Sequence, residues 1–485
     1  MGKRKLNYGR RRIILNYDEV TPENFKEVFE QALPIFNKNR LDCEYLVDMF
    51  LGKQDILYRP APNTSNINNK TVVNLAYPVT REIVGYTFGN PFELVQRSEK
   101  NREDIQKLSD FCNYEGNYIV DITTAMFSSI CGFGYQITLP SKDITKDNTP
   151  DVPLIIDTLD PRSTFIVQST AVGNPQIMSC MVTCDSNGGN KKYIAFTDDY
   201  KFVYDAVKGT LSNEPNAIGL DPITMVSNSL LLTGDWEQAI PVMNALNQIT
   251  SDSLNDIEGT IRSLLVLLGT EIEEGKESEI MKQIKDLRLL SLAQRQGMGG
   301  TLDAKFISPQ INSQEAHDVR DFLRETFNII TGVPDRQGNN VGGDTGVAVI
   351  NRNGWTDVEI VARLKELFFK KMKTKQVAIA LKILQQLDLI KSDITVLDIE
   401  ISLGRNTLSD LSSKAQAFST LVATGELATV DALTFAGLTN RTNEVVARGE
   451  EAKKEREEKA LKMAQQNGSD QQNGKPVGND KPESK

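Results

Sequence analysis

Residues 332–355 read GVPDRQGNNVGGDTGVAVINRNGW. Six glycines in these 24 positions interrupt every helical or strand period, which predicts a flexible loop. A nucleotide-binding P-loop requires a lysine that neutralises phosphates, whereas Asp344 stands at that position in the run Gly342–Thr345. A helical pattern, not a strand, also leads into the segment. We therefore interpret it as a mobile connection and not as a phosphate-binding loop.

Helical patterns flank this loop on both sides. Before it, Asn312 followed by Glu315 predicts a helix start, because these side chains satisfy free N–H groups of a first turn. After it, Thr356 and Glu359 form a similar capping box, and a proline-free run continues to about Asp388. At ~1.5 Å per residue this second helix is a rod of roughly 50 Å. The apolar residues that share one face of the first helix are Val319, Phe322, Leu323, Phe327 and Ile330.

The rest of the chain divides by its hydrophobic period. Short β-rich runs separated by turn signals fill 132–233 and predict an antiparallel region. A compact insert, 269–309, separates two helical segments, and residues 465–485 are polar enough to predict disorder. These periods together predict an α+β protein that is mainly α. The remaining helical patterns cover 20–57, 71–87, 104–130 and 240–268.

Composition limits the possible chemistry. The chain has 485 residues, and its 55 basic and 65 acidic side chains give a formal charge of -10. Tight binding of nucleic acid over the whole surface is therefore excluded, and any DNA contact is local or weak. His317 is the only histidine, so one chain cannot supply a site with two histidines. The five cysteines contain no C-x-x-C pair, which favours buried thiols in a reducing cytoplasm.

Short motifs recur in a characteristic order along residues 20–450. They include Asn69-Lys70, Val84-Gly85-Tyr86, Leu159-Asp160-Pro161, Gly234-Asp235-Trp236-Glu237, Gly332-Val333-Pro334-Asp335 and Gly346-Val347-Ala348. Each motif is weak alone, but their order and spacing resemble the portal (head–tail connector) protein family of tailed bacteriophages with long non-contractile tails. The resemblance implies a structural protein and not an enzyme, without catalytic residues, metal or cofactor.

The resemblance also implies an architecture. The subunit would have a wing, a helical stem, a small α/β clip, a tunnel loop with a long helix, and a helical crown. Usually twelve such subunits form a cyclic ring at one capsid vertex. The implied boundaries are wing 1–235, stem helix 1 at 236–268, clip 269–309, stem helix 2 at 310–333, tunnel loop 334–355, long helix and wing strand 356–404, crown 405–464 and disordered tail 465–485.

Partners and location follow from the same resemblance. Double-stranded DNA would pass through the ring during packaging and ejection. The terminase large subunit, and later a head–tail adaptor protein, would dock at the clip, and the major capsid and scaffolding proteins would surround the ring. The protein would lie in the virion, and in the host cytoplasm during assembly, without a membrane.

Two sets of residues are candidate contacts on this basis. The tunnel loop residues expected to face DNA are Arg336, Asn339, Asn340, Asp344, Thr345 and Asn351. The clip residues expected to bind partners are Glu273, Glu274, Lys282, Lys285 and Arg288.

Acidic residues on the two stem helices form a third set. A channel through which a genome slides cannot adhere to phosphates, and DNA presents one negative charge per ~1.7 Å of axis. We therefore expect carboxylates of the stem to face the bore and to keep it negative. The expected lining residues are Glu237, Asp252, Asp256, Glu258, Glu315, Asp318, Asp321 and Glu325.

Other interpretations remain open at this point. The chain could be an oligomeric scaffold or tail component without a DNA channel. It could also be a metal-dependent nuclease that uses scattered carboxylates, which requires a converging acidic cluster. The basic residues of the long helix, such as Lys371 and Lys375, could contact phosphate or simply form a solvated face.

Overall fold

A computed structural model of the chain shows a mixed α/β structure with more helix than strand. It divides into two units, residues 1–401 and 402–485. The residues described are 8–61, 67–97, 101–114, 117–141, 152–184, 191–261, 264–268, 289–290, 303–307, 313–334, 355–391, 393–403, 411–425, 427, 429–436, 438, 445–446 and 448–459.

The predicted helix 240–268 is wrong at its end, because Leu264–Leu268 forms a strand, and the pattern 104–130 contains two helices. The helices lie close to the other predicted patterns. They are α1 (Phe25–Phe50), α2 (Ala76–Phe88), α3 (Arg102–Asn113), α4 (Tyr118–Cys131), α5 (Ile240–Ile261), α6 (Ser313–Thr331), α7 (Trp355–Gln386), α8 (Leu411–Ala423) and α9 (Thr429–Ala436). The long helix α7 has 32 residues, about 48 Å at ~1.5 Å per residue. In the second unit, α8 and α9 pack against each other.

Fourteen strands are described. They are β1 (Ile13–Leu15), β2 (Phe92–Gln96), β3 (Phe133–Pro140), β4 (Leu154–Leu159), β5 (Thr164–Ser169), β6 (Gln176–Cys184), β7 (Lys191–Phe196), β8 (Tyr200–Asp205), β9 (Thr210–Pro215), β10 (Ile223–Ser227), β11 (Leu264–Leu268), β12 (Leu289–Leu290), β13 (Asp303–Ile307) and β14 (Ile399–Leu403). The predicted β region holds β3 to β10, and the strand pairs among these are antiparallel.

The strands form four sheets. The largest has six strands in the order β1-β5-β6-β7-β8-β9, and only the β1–β5 pair of this sheet is parallel. The smaller sheets have the orders β10-β3-β4, β14-β2 and β12-β11-β13. The last of these lies in the insert between α5 and α6.

Two hydrophobic clusters hold the first unit together. In one, α1 packs on the six-stranded sheet, and Phe25 stacks on Phe202 with ring centroids 4.5 Å apart. In the other, Trp236 is fully buried among residues of α1, α2, β3 and the start of α5. This second cluster fixes the point at which α5 leaves the body of the unit.

No helix among the residues placed by the structure is long and apolar enough to cross a membrane.

Candidate functional site: the stem helices and their anchors

Residues 67–75, here called the strap, run along α5. Alternate backbone N–H groups of the strap meet α5 side chains four residues apart. An extended chain advances ~6.6 Å over two residues and a helix ~6 Å over four, so the two repeats match. The N–H groups of Asn69, Thr71 and Val73 donate to Asn255 Oδ1, Ser251 Oγ and Asn247 Oδ1 at 2.7, 2.9 and 2.7 Å.

Two carboxylates predicted to line a channel take part in this attachment. Asp252 Oδ1 accepts a hydrogen bond from Arg59 Nη1 at 2.6 Å, and Glu258 Oε2 accepts one from Asn69 Nδ2 at 3.0 Å. Asp256, the third predicted lining residue on α5, is exposed. Asp252 and Glu258 therefore hold two segments on α5. These are the 3-10 turn Asp55–Tyr58 that ends at Arg59, here called the Arg59 turn, and the strap.

The prediction that Glu237 lines a channel is wrong. Glu237 lies in a short 3-10 turn before α5, is fully buried, and forms an ion pair with Arg10. Its carboxylate also accepts the N–H groups of Gly9 at 2.8 Å and Gly234 at 2.9 Å. Burial raises the pKa of Glu237, although Arg10 and these N–H groups oppose the shift. This residue anchors the N-terminal segment to the turn that precedes α5.

The neighbouring Asp235 links the residues that precede α5 to the long helix α7. Its Oδ1 lies 2.7 Å from Lys365 Nζ, and both side chains are more than nine-tenths buried. The other oxygen, Oδ2, accepts a hydrogen bond from Ser129 of α4 at 2.6 Å, and Asn228 Nδ2 donates to Oδ1 at 2.8 Å. One buried carboxylate thus ties α4 and α7 to the residues that precede α5.

A second buried ion pair fixes α7 further along its length. Lys373 Nζ lies 2.6 Å from Asp121 Oδ1 of α4, and both side chains are more than nine-tenths buried. Lys365 and Lys373 of α7 are therefore structural, whereas Lys371, Lys375 and Lys382 are exposed.

Helix α6 presents three different faces, which the spacing of ~100° per residue separates. One face carries Phe327 and Thr331, which are buried where α6 packs against α5. A second face carries the exposed carboxylates of Asp318, Asp321 and Glu325 within an arc of about 60°.

The third face of α6 is apolar and exposed. It carries Val319, Phe322, Ile329 and Ile330, which are 44%, 64%, 74% and 41% exposed, within an arc of about 100°. The predicted single apolar face of this helix is therefore split, because Phe327 points to α5 while these four side chains do not. The fourth predicted carboxylate, Glu315, is also exposed and lies within the arc of the apolar face, between Phe322 and Val319.

Two sets of predicted contact residues lie outside the part of the chain that the structure describes. These are the tunnel loop residues Arg336, Asn339, Asn340, Asp344, Thr345 and Asn351, and the clip residues Glu273, Glu274, Lys282, Lys285 and Arg288.

The acidic residues do not converge on a metal site in the described ranges, where no group of three His, Cys, Asp or Glu side chains could hold an ion. His317 is exposed on α6.

Sequence reasoning missed the residues that anchor the stem. Asn247, Ser251 and Asn255 show a polar spacing of four residues that could have indicated a partner segment. Arg10 gave no such signal, since its partner lies 227 residues away.

Residues 31–462 match the family model described as phage portal protein, SPP1 Gp6-like. The chain belongs to this family. The resemblance drawn from the motifs is thereby confirmed, and the protein is a phage portal protein, a head–tail connector of bacteriophage. Portal proteins of this family are generally structural. The finer expectation of a long non-contractile tail stays a prediction.

Two solved structures are similar to this portal protein. The neck of a native GTA particle computed with C12 symmetry matches at a TM-score of 0.44 and 12% identity, covering 82% of this chain and 93% of that chain. The neck of an empty GTA particle computed with C6 symmetry matches at 0.42 and 13%, with the same coverage. No curated protein matches the chain.

Proposed function

We propose that this portal protein forms a cyclic ring, of about twelve copies by analogy with its family, whose bore passes double-stranded DNA. Such ring assemblies have closed point-group symmetry. The observation that carries the proposal is the division of α6 into three faces. A helix in the wall of a ring meets its own subunit, the next subunit and the bore, and α6 has one face suited to each.

The acidic face suits the bore. A lining that neutralised phosphates would release counterions and hold the duplex, whereas Asp318, Asp321 and Glu325 repel it. Because Asp252 and Glu258 already bind the Arg59 turn and the strap, we infer that α6 and Asp256 supply the stem carboxylates that meet DNA.

The apolar face suits the next subunit. A closed ring uses head-to-tail contacts, so the face on one side of a subunit must meet a different surface on the other side. On α5, Leu254 and Ile257 are exposed apolar residues that offer such a surface. We infer that Phe322 and its neighbours pack against these residues of the adjacent subunit.

The remaining parts of the proposal rest on the family. Residues 1–235 would be the wing, 236–268 and 310–333 the stem, 269–309 the clip, 334–355 the tunnel loop, 356–404 the long helix and wing strand, and 405–464 the crown. The clip would bind the terminase large subunit and then a head–tail adaptor protein. The ring would sit at the portal vertex of the virion, among capsid and scaffolding proteins, after assembly in the host cytoplasm.

Electron microscopy of the purified protein combined with a DNA-retention assay tests this function. We expect closed rings with a central bore. Rings carrying D318N, D321N and E325Q together should retain linear duplex DNA about tenfold more strongly at low salt, and added salt should remove the difference. The matched control carries D18N, E19Q and E30Q, three exposed carboxylates away from the stem.

Two results would overturn the proposal. One is a protein that stays monomeric or forms an assembly without a bore. The other is equal DNA retention by the stem variant and the control, which would mean that the acidic face of α6 does not meet DNA.

A further inference from the structure

Lys365, Asn228 and Asp235 form a triad in which each side chain contacts the other two through polar atoms. Lys365 lies on α7, Asn228 directly follows β10, and Asp235 precedes α5. We propose that this triad is a covalent modification site, at which the Lys365 amine displaces the amide nitrogen of Asn228 and an isopeptide bond forms between the two side chains. This site goes beyond the proposed function and stands without it.

The lysine amine lies beside the carbon that it would attack. Lys365 Nζ donates a hydrogen bond to Asn228 Oδ1, and that oxygen is one C=O bond, about 1.23 Å, from Cγ. The hydrogen bond therefore holds the nucleophile close to the amide carbon. Holding two reacting groups in contact removes much of the entropic cost of bringing them together.

Asp235 is placed to move the protons of this reaction. Its Oδ1 lies 2.7 Å from Lys365 Nζ and accepts a hydrogen bond from Asn228 Nδ2 at 2.8 Å. The same oxygen can therefore take a proton from the attacking nitrogen and give one to the leaving nitrogen. Ser129 Oγ donates to Oδ2 at 2.6 Å, and the Asp235 N–H donates to the Ser129 carbonyl at 2.8 Å, so the carboxylate is held in this orientation.

A serine of α4 stabilises the charge that develops on the amide oxygen. Ser128 Oγ donates a hydrogen bond to Asn228 Oδ1 at 3.2 Å. The side chains of Lys365 and Asp235 are more than nine-tenths buried. A donor that points at an oxygen that becomes negative acts most strongly where water is excluded, as it is here. The triad thus holds a nucleophile, a proton carrier and an oxyanion donor around one amide.

The reaction balances with these groups alone, and nothing is oxidised or reduced. The Lys365 ammonium passes a proton to the Asp235 carboxylate, and the free amine attacks Cγ of Asn228. Asp235 then gives that proton to Nδ2 and takes one from Nζ, the Cγ–Nδ2 bond breaks, and ammonia leaves. The products are a secondary amide, a neutral Asp235 carboxyl and one ammonia, so the buried ion pair becomes an uncharged, hydrogen-bonded group.

The other buried lysine of α7 lacks this arrangement. Lys373 Nζ donates to Gln376 Oε1 at 2.7 Å and pairs with Asp121. Gln376 Nε2, however, has no hydrogen-bond partner among the residues that the structure describes. No carboxylate is therefore placed to protonate a leaving nitrogen at Gln376, and Lys373 serves as an internal control for the chemistry of Lys365.

Mass spectrometry of the purified full-length protein tests the site. We expect an intact mass that is lower by one ammonia than the sequence gives, and a tryptic digest in which one branched peptide joins Asn228 to Lys365. Trypsin should no longer cleave after Lys365, because its side chain has become an amide, and should still cleave after Lys373. Fragmentation of the branched peptide locates the bond, which separates this reaction from loss of ammonia at any other asparagine.

D235N is the matched variant, since it keeps the size of the side chain and removes the proton carrier. Bond formation in D235N should be slower by about 100-fold or more, the usual contribution of a positioned acid–base group. The branched peptide in wild-type protein decides the matter even where this variant folds poorly. The proposal is overturned when folded wild-type protein, after long incubation at neutral pH, is cleaved completely after Lys365 and keeps an unmodified Asn228. D235N that forms the bond at the wild-type rate would overturn the role of Asp235. Neither result depends on ring formation.

Discussion

The substitution Phe322→Asp tests the subunit contact assigned to α6. Phe322 is 64% exposed in the isolated subunit. An aromatic side chain offers about 200 Å² of surface, so a neighbour could cover about 130 Å² of it. At about 25 cal/mol per Å² this burial stabilises each interface by up to ~3 kcal/mol. Its loss lowers the association constant by up to about 150-fold, and the introduced charge adds to the effect.

Mass photometry and light scattering over a dilution series measure this effect. The wild-type protein should remain a ring at concentrations where F322D falls apart into single subunits. The circular dichroism of F322D should match that of wild type, because Phe322 is exposed in the single subunit and its replacement leaves the core intact.

Two matched variants separate loss of apolar contact from added charge. F322L keeps an apolar side chain and should assemble nearly as wild type, and D321N removes a neighbouring charge without touching the apolar face. Rings of F322D with the concentration dependence of wild type would refute the assignment of this face to the next subunit.

Three further changes probe the anchors and the interior. Replacing Lys365 by Met leaves its carboxylate partner buried without a cation and should cost about 3 kcal/mol in urea denaturation, whereas K371M on the exposed side of α7 should change little. Burial raises the pKa of Asp221 to about 7; the folded state then holds a proton that the unfolded state releases between pH ~4 and 7. Stability should therefore fall as pH rises through this window, by at most ~1.4 kcal/mol per unit, and D221N should flatten that slope in urea titrations at several pH values. Replacing Ser251 by Ala removes the acceptor of the Thr71 N–H and should speed hydrogen exchange at that amide by several-fold, while the same amide in wild type stays protected.

Local signals predicted the long elements well. The proline-free run after Thr356 predicted a helix to about Asp388, and α7 spans Trp355–Gln386. Such predictions depend on period, which neighbouring residues encode directly. The predicted cap at Thr356 lies inside α7, which begins at Trp355. The β region was likewise visible as a change of period. Sequence also indicated that α5 and α6 carry exposed acids, and four of the predicted residues on α6 are exposed.

The side-chain partners that the sequence could not predict lie far apart along the chain. Glu237 looks like any acid near a helix start, and only the return of Arg10 from 227 residues away makes it a buried anchor. The same holds for Asp252, whose partner Arg59 is 193 residues distant. Spacing along one helix gives the direction of a side chain but not the identity of the group that meets it.

This difference changes the electrostatics of the proposed bore. Of the eight carboxylates that sequence assigned to the lining, Glu237 is buried and Asp252 and Glu258 bind the turn and the strap, which leaves 8 − 3 = 5. Four of these five lie on α6. Helix α5 is therefore mainly an attachment to the body of the subunit, and α6 carries the surface that DNA would meet in the proposed ring. In such a stem, α6 can present carboxylates that repel DNA while α5 attaches the two helices to the body of the subunit.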